Sequence, residues 1–418
     1  MKENASPQLR SPLKWGVRLI LAGIVGWLGY LSIMQSVALV LPDSRIEEAY
    51  ALAPNNGRIA SRLSLLLFGP DTSEADHIRA VAIARDALRH DPTAVEAAAT
   101  LAADALMRGD KAQGERLLGY SQKLSRRDLS TQLMAIELAV SHGDIPSALR
   151  HYDIALRTKK NAPDLLYPVL TSALTDPAIR TELIKTLSGH PSWSNGFINH
   201  AARSDADPAA SAAFFRALQT ARVSVPSGAS VVLINRLLSA QLFDDAWLYY
   251  AAAHPGSDRH RSRDPAFKSP IEAHSAFDWI AINSIGVSTA ILPDPANGLF
   301  DFTVSMGNGG PLLQQLQMLP PGDYVLEGHS IGVEQPMRSR PYWVVRCRTG
   351  GEIARVEVPN SSHAGGRFQG NVRIPADCSV QMLTLVARSS NEIGGVSGQI
   401  DRILIRPTRS LAPERTAS

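Results

Sequence analysis

Gly328-His329-Ser330-Ile331-Gly332 fits the pattern G-x-S-x-G. A serine nucleophile in that pattern needs a sharp strand-to-helix turn above a parallel sheet, which lifts the hydroxyl into the open beside a base. Here a strand-like run precedes the motif, but Val333-Glu334-Gln335-Pro336 follows it, and then another strand-like run. Without βα alternation, the expectation is a glycine-flanked serine in a bent strand or turn. Gly307-Asn308-Gly309-Gly310 lacks the Gly-Lys-Ser/Thr ending of a phosphate loop and reads as a turn. The 11 histidines are scattered. No H-x-x-x-H pair and no Cys/His spacing points to a metal site, so neither a metal nor a cofactor is expected. Carboxylates are numerous, but a glycosidase needs two of them about 5–10 Å apart, a distance that chain order does not reveal.

Aromatic residues are the other chemical handle, because sugar rings stack on exposed aromatic faces. In Tyr342-Trp343-Val344-Val345-Arg346-Cys347, strand alternation puts Trp343, Val345 and Cys347 on one face and Tyr342, Val344 and Arg346 on the other. The face bearing the cysteine is read as core, which makes Tyr342 and Arg346 the ligand-face candidates. Phe277 and Trp279 also share a face by this alternation and are read as core.

The elements that must position these residues begin with an uncharged run, Leu19 to Leu41. As a helix it would span about 34 Å, enough for a bilayer core. Lys2, Arg10, Lys14 and Arg18 precede it against Glu3 alone; Asp43, Glu47 and Glu48 with Arg45 follow. The positive-inside bias predicts a cytoplasmic stub (1–18), a membrane helix (19–41) and an extracytoplasmic remainder. Ser36-Val37-Ala38 resembles a cleavage site, but the run exceeds the usual apolar core of a signal peptide. An uncleaved anchor is therefore expected, and no later segment is apolar enough to cross. The chain has 418 residues, 44% hydrophobic and 19% charged, with 42 Lys and Arg against 39 Asp and Glu. This is an ordinary globular composition, without the basic surplus that nucleic-acid binding requires. Cys347 and Cys378 are the only cysteines. Outside the cytoplasm they are expected to form a disulfide rather than two buried thiols.

From 44 to 255 the chain is Ala- and Leu-rich with helical periodicity, and small residues recur at a spacing of 34. Gly109 and Gly143 are each followed by aspartate. Ala80, Gly114 and Ala148 form a second series; Ala87, Ser121 and Ala155 form a third. Such residues let two helices approach closely, and Gly-Asp supplies the turn between them. The pattern resembles the tetratricopeptide family, whose repeat is a 34-residue helix–turn–helix. The resemblance is best over Ala139–Leu156, and Ala87-Leu-Arg-His-Asp-Pro92 closes an earlier unit. It implies a helical solenoid that holds protein partners. The large aromatic of the first helix is replaced by Ser64, Ala98 and Gln132, and the closing proline by Arg126 and Lys160. After Pro163 the pattern fades, with Leu242–Ala253 as one divergent hairpin.

Residues 256–272 are rich in Pro, Ser and Arg and read as a linker, with Arg259-His260-Arg261-Ser262-Arg263 a solvated basic run. The period then changes to that of strands. Ten are expected, starting with Phe277–Asn283 and ending with Ser397–Arg406, in a β-sandwich over 273–408, with a disordered tail over 409–418. Leu312-Leu-Gln-Gln-Leu-Gln-Met-Leu-Pro-Pro-Gly-Asp-Tyr-Val-Leu326 and the closing strand Ser397–Pro407 resemble jelly-roll, galactose-binding-like modules that often bind carbohydrate. In related jelly rolls a calcium ligand sometimes occupies the place of Asp401; a solvated or turn-capping aspartate is the reading here.

The whole is a multi-domain chain: one membrane helix, an all-α tetratricopeptide-like solenoid and an all-β jelly-roll sandwich. The expected function is a non-enzymatic scaffold on a bacterial inner membrane facing the periplasm, in assembly or export of a cell-surface polysaccharide. A glycan-active enzyme and a purely structural protein–protein module are the alternatives.

Overall fold

The computed structural model describes residues 12–69, 71–269, 273–296 and 298–408. Lys2, Glu3, Arg10 and the tail from 409 lie outside the described residues. The chain forms two compact units, one ending at Leu166 and one starting at Tyr167. The division therefore falls inside the helical region, not at the expected linker.

The first unit opens with α1 (Pro12–Val40), followed by α2 (Ile46–Leu52), α3 (Gly57–Leu67), α4 (Glu74–His90), α5 (Val95–Met107), α6 (Lys111–Leu124), α7 (Leu129–Ser141) and α8 (Ile145–Thr158). Within α1, Trp15–Val40 is long and apolar enough to cross a membrane, and nearly all of its residues are exposed. The Gly-Asp pairs end one helix and begin the next. Gly109 and Gly143 have φ of +81° and +69°, a conformation that glycine adopts without a Cβ penalty. Asp110 and Asp144 then cap α6 and α8, accepting from the backbone N–H of Gln113 and Ser147. A Cβ on Gly114 would lie 2.6 Å from Leu106, so the absent side chain sets how closely α5 and α6 pack. Ala80, Ala148 and Ala155 are buried. So are Ser64, Ala98 and Gln132, which recur at the same spacing of 34. Ser64 Oγ meets Thr100 Oγ1 at 3.4 Å, and Gln132 donates to the Arg126 carbonyl.

α9 (Ala162–Ser172) carries the division between the units. The second unit continues with α10 (Pro177–Ser188), α11 (Ser194–Arg203), α12 (Pro208–Thr220), α13 (Ser227–Ser239) and α14 (Phe243–Ala253). Edge-to-face contacts run through Phe197, Phe214, Phe215 and Tyr249, so aromatic packing replaces the alanine seams of the first unit.

The rest of this unit is a sandwich of two five-stranded antiparallel sheets. Its strands are β1 (Ile280–Ala281), β2 (Val287–Leu292), β3 (Leu299–Val304), β4 (Gly310–Gln317), β5 (Gly322–Ile331), β6 (Tyr342–Cys347), β7 (Glu352–Glu357), β8 (Arg367–Ile374), β9 (Gln381–Ala387) and β10 (Val396–Pro407). The first sheet has the order β1-β4-β9-β6-β7 and the second β2-β3-β10-β5-β8. The core between them includes Phe300, Phe302, Trp343, Leu383, Leu385, Ile400 and Ile403. Cys347 and Cys378 are joined as a disulfide.

Two expectations require correction. Phe277–Asn283 is not one strand, because Asp278 Oδ2 accepts from the N–H and hydroxyl of Ser275 and folds the segment into a turn. Phe277 and Trp279 are both buried but meet different partners. Phe277 packs on Trp247 and Tyr250 of α14, and Trp279 packs on Phe267 and Trp343. Nor is the basic run a solvated linker. Ser262 N–H donates to the Ile405 carbonyl, Ile405 N–H to Ser262 Oγ, and Ile403 N–H to the Pro265 carbonyl. The segment is thereby stitched to the edge of β10.

Candidate functional site

Alternation along β6 sets the geometry. Trp343 and Val345 point inward and are 0% and 1% exposed; Tyr342, half-buried, and Arg346, exposed, point outward. Cross-strand partners lie on one face, so the outer surface of the first sheet gathers Tyr342, Val344 and Arg346 from β6, Arg355 and Glu357 from β7, and Met382, Thr384 and Val386 from β9. Val344 points outward yet is only 2% exposed.

Charged groups dominate this face. The guanidinium of Arg355 lies 4.4 Å from the Tyr342 ring centroid and that of Arg388, just past β9, lies 4.5 Å from it. Each arginine is also held by a carboxylate. Arg355 donates bidentately to Glu352 at 2.9 and 2.8 Å, and Arg388 donates to both oxygens of Glu357. The pairing raises the pKa of both arginines and lowers that of Glu352, with the side-chain hydrogen bond as the main cause. Tyr342 is thus less a free stacking platform than a post that orients two guanidinium groups.

The face continues into a recess of about 560 Å³ among the loops after β5, β7 and β9, lined by Glu334, Gln335, Arg340, Asn360, Glu392 and Ser397. Arg388 joins the two by donating to the Arg340 carbonyl at 2.9 Å. The recess is pre-organised. Gln335 donates through its backbone to Asn360 Oδ1 and through its amide to the Gly395 carbonyl, and it accepts from Ser390. Glu334 is fixed by the N–H and hydroxyl of Ser362.

A larger cavity of about 890 Å³ lies between α13, α14 and the sandwich. Three of the polar groups on its wall are held within the protein. Tyr250 donates to Asp278 Oδ1 at 2.6 Å, and Arg263 donates to the carbonyls of Phe277 and Leu316. The Arg263 guanidinium also lies over the rings of Trp247, Tyr250 and Phe277. Burial pushes the Arg263 pKa down to about 10 and, with Asp278, pushes that of Tyr250 up. With these groups satisfied from within, the network serves as a clamp between α14 and the sandwich rather than as a binding site.

The hydrolase-like motif does not assemble. Ser330 is buried on the inner side of β5, where Oγ meets Ser361 Oγ and the Gly366 carbonyl. His329 points to the opposite side and pairs through Nδ1 with Asp401 Oδ1 at 2.7 Å. A serine and a histidine on opposite faces of one strand cannot exchange a proton. Asp401 is therefore a cross-strand partner of His329, and among the described residues no group of three His, Cys, Asp or Glu is placed to hold a metal.

Sequence reasoning singled out Tyr342 and Arg346 but missed Arg355, Arg388 and the carboxylates that hold them. Alternation in Glu352–Glu357 places Arg355 and Glu357 on one face, but only the β6–β7 register shows which strand they adjoin. The loop residues of the recess carry no periodic signal.

The sequence matches no protein-family model and no curated protein. Solved structures resemble part of the fold. One is the Bacteriophage CBA120 tailspike protein 4 enzymatically active domain, 12% identical over 31% of this chain and only 18% of that one, with a TM-score of 0.21. Another is TmCBM61 in complex with beta-1,4-galactotriose, 17% identical over 31% of this chain and 88% of that one, TM-score 0.23. A third is the CBM22-1 xylan-binding domain from Paenibacillus barcinonensis Xyn10C, 13% identical over 35% of this chain and 93% of that one, TM-score 0.24. At such identities and scores, no residue role and no ligand passes from these proteins to this chain.

Proposed function

We propose that this chain is a non-enzymatic, membrane-anchored scaffold whose β-sandwich binds glycan on the outer face of its first sheet. The observation that carries the reading is the continuity of that face with the loop recess. Tyr342, Arg355 and Arg388 are followed, through Arg340, by the fixed amides and carboxylates of Gln335, Asn360 and Glu334. Planar groups of this kind donate to and accept from neighbouring sugar hydroxyls in pairs, and their own hydrogen bonds hold them in place before a ligand arrives.

In this reading α1 anchors the protein in a bacterial inner membrane with its bulk in the periplasm. The helical repeats hold protein partners, and the work served is assembly or export of a cell-surface polysaccharide. Catalysis forms no part of it. The full chain, reconstituted in nanodiscs and applied to a glycan array, should retain a defined set of oligosaccharides, and Arg340→Ala should weaken that retention. No retention of any glycan would remove the proposal and leave a protein–protein module in its place.

A further inference from the structure

We infer that the outer face of the first sheet selects an anionic glycan, a chain bearing carboxylates such as a uronic acid polymer; this rests on the glycan-binding reading above. Two acidic side chains, Glu352 and Glu357, stand among the outward residues of β6 and β7, and each is already taken up by one guanidinium, Arg355 or Arg388. Two further arginines on the same alternation have no carboxylate hydrogen-bonded to them among the described residues. Arg346 comes no nearer than 3.9 Å to Glu352, whose oxygens Arg355 already occupies. Arg348, one step past β6 and exposed, has its guanidinium 5.3 Å from the Phe243 ring centroid. The face therefore keeps a positive surplus.

A neutral sugar would find little to bind here. The outward neighbours Val344, Met382, Thr384 and Val386 are not aromatic, and the one ring, Tyr342, already carries two guanidinium groups. Stacking, the main apolar contribution to sugar recognition, is thus largely used up. What remains on offer is the guanidinium fork, whose paired donors match the two oxygens of a carboxylate.

The test uses oligosaccharides that differ only in oxidation at C6: β-1,4-linked oligoglucuronate and a cello-oligosaccharide of equal length. Each is titrated calorimetrically into the full chain in nanodiscs of zwitterionic lipid. The oligoglucuronate should bind at least about tenfold more tightly at low salt. The advantage should shrink toward 1 M salt, where the screening length falls to about 3 Å. The double variant Arg346→Gln, Arg348→Gln, which alters two exposed side chains, should reduce the acidic ligand to the affinity of the neutral one. Equal binding of both sugars, or an unchanged acidic affinity in the double variant, overturns the inference while leaving glycan binding intact. Binding of neither sugar, together with an empty glycan array, overturns both readings.

Discussion

The strands of the first sheet build two faces from alternate residues, and the faces are held by different forces. On the inner side, Trp343 and Val345 sit in the apolar core, where shape and area decide stability. On the outer side, Tyr342 and Arg346 sit among charges that are paired, exposed and worth little to folding. The lesson is that adjacent residues of one strand should fail in opposite ways: inward changes should cost stability, and outward changes should cost binding.

The sharpest way to break this comparison is Trp343→Ala. Emptying a fully buried indole site should cost about 3–5 kcal/mol, read by chemical denaturation. Trp343→Phe should be milder than the lost volume implies, because Nε1 is buried without a hydrogen-bond partner among the described residues. Reducing the Cys347–Cys378 disulfide, which joins residues 31 apart, should lower stability by about 3–4 kcal/mol in the chain-entropy model. Glycan affinity of the folded fraction should persist, since alternation puts Cys347 on the side opposite Arg346 and Cys378 is buried.

Tyr342→Ala should show the reverse pattern. Two cation–π contacts of about 0.5–1 kcal/mol each set the stability loss at roughly 1–2 kcal/mol. Binding should fall by at least about tenfold, because Arg355 and Arg388 lose the post that orients them. A variant that unfolds yet still binds when stabilised would reverse the two faces.

The smallest effect is that of Glu352. Its pKa is held below the ordinary 4.5, first by the hydrogen bond from Arg355. A lowered carboxylate contributes stability above its unfolded pKa, and that contribution is lost as pH falls through the folded value. Acid titration below about pH 4.5 should therefore remove about 0.2–1 kcal/mol, the range for an exposed pair. Glu352→Gln should lack that part of the acid loss.

Much of this architecture was legible because strand periodicity and turn residues speak locally. Val287–Leu292 and Arg367–Ile374 alternate buried and exposed residues between turn residues and form strands, and Gly-Asp at the helix turns announces both a stop and a cap. The misread segments depend on distant partners. Ser262 and Arg263 look solvated in a run of arginines, yet the backbone of β10 and the rings of α14 draw them in. Phe277 looks like the start of a strand until Asp278 folds back on Ser275. The candidate face was half legible for the same reason: alternation along β6 separated Tyr342 from Trp343, but Arg388 reaches Glu357 across a strand, which no local pattern encodes. One practical consequence follows. A fragment starting at 273 would cut the Arg263 and Ser262 attachments, so binding work belongs on the full chain.

The most direct test is hydroxyl-radical footprinting of the full chain with and without a bound oligosaccharide, read by mass spectrometry. Tyr342 and Met382, both half-buried on the outer face of the first sheet, should become protected. Leu292 and Ile331, 52% and 43% exposed on strands of the second sheet, should oxidise as before. Protection at Leu292 or Ile331 with none at Tyr342 and Met382 would contradict the account by moving the ligand to the opposite sheet.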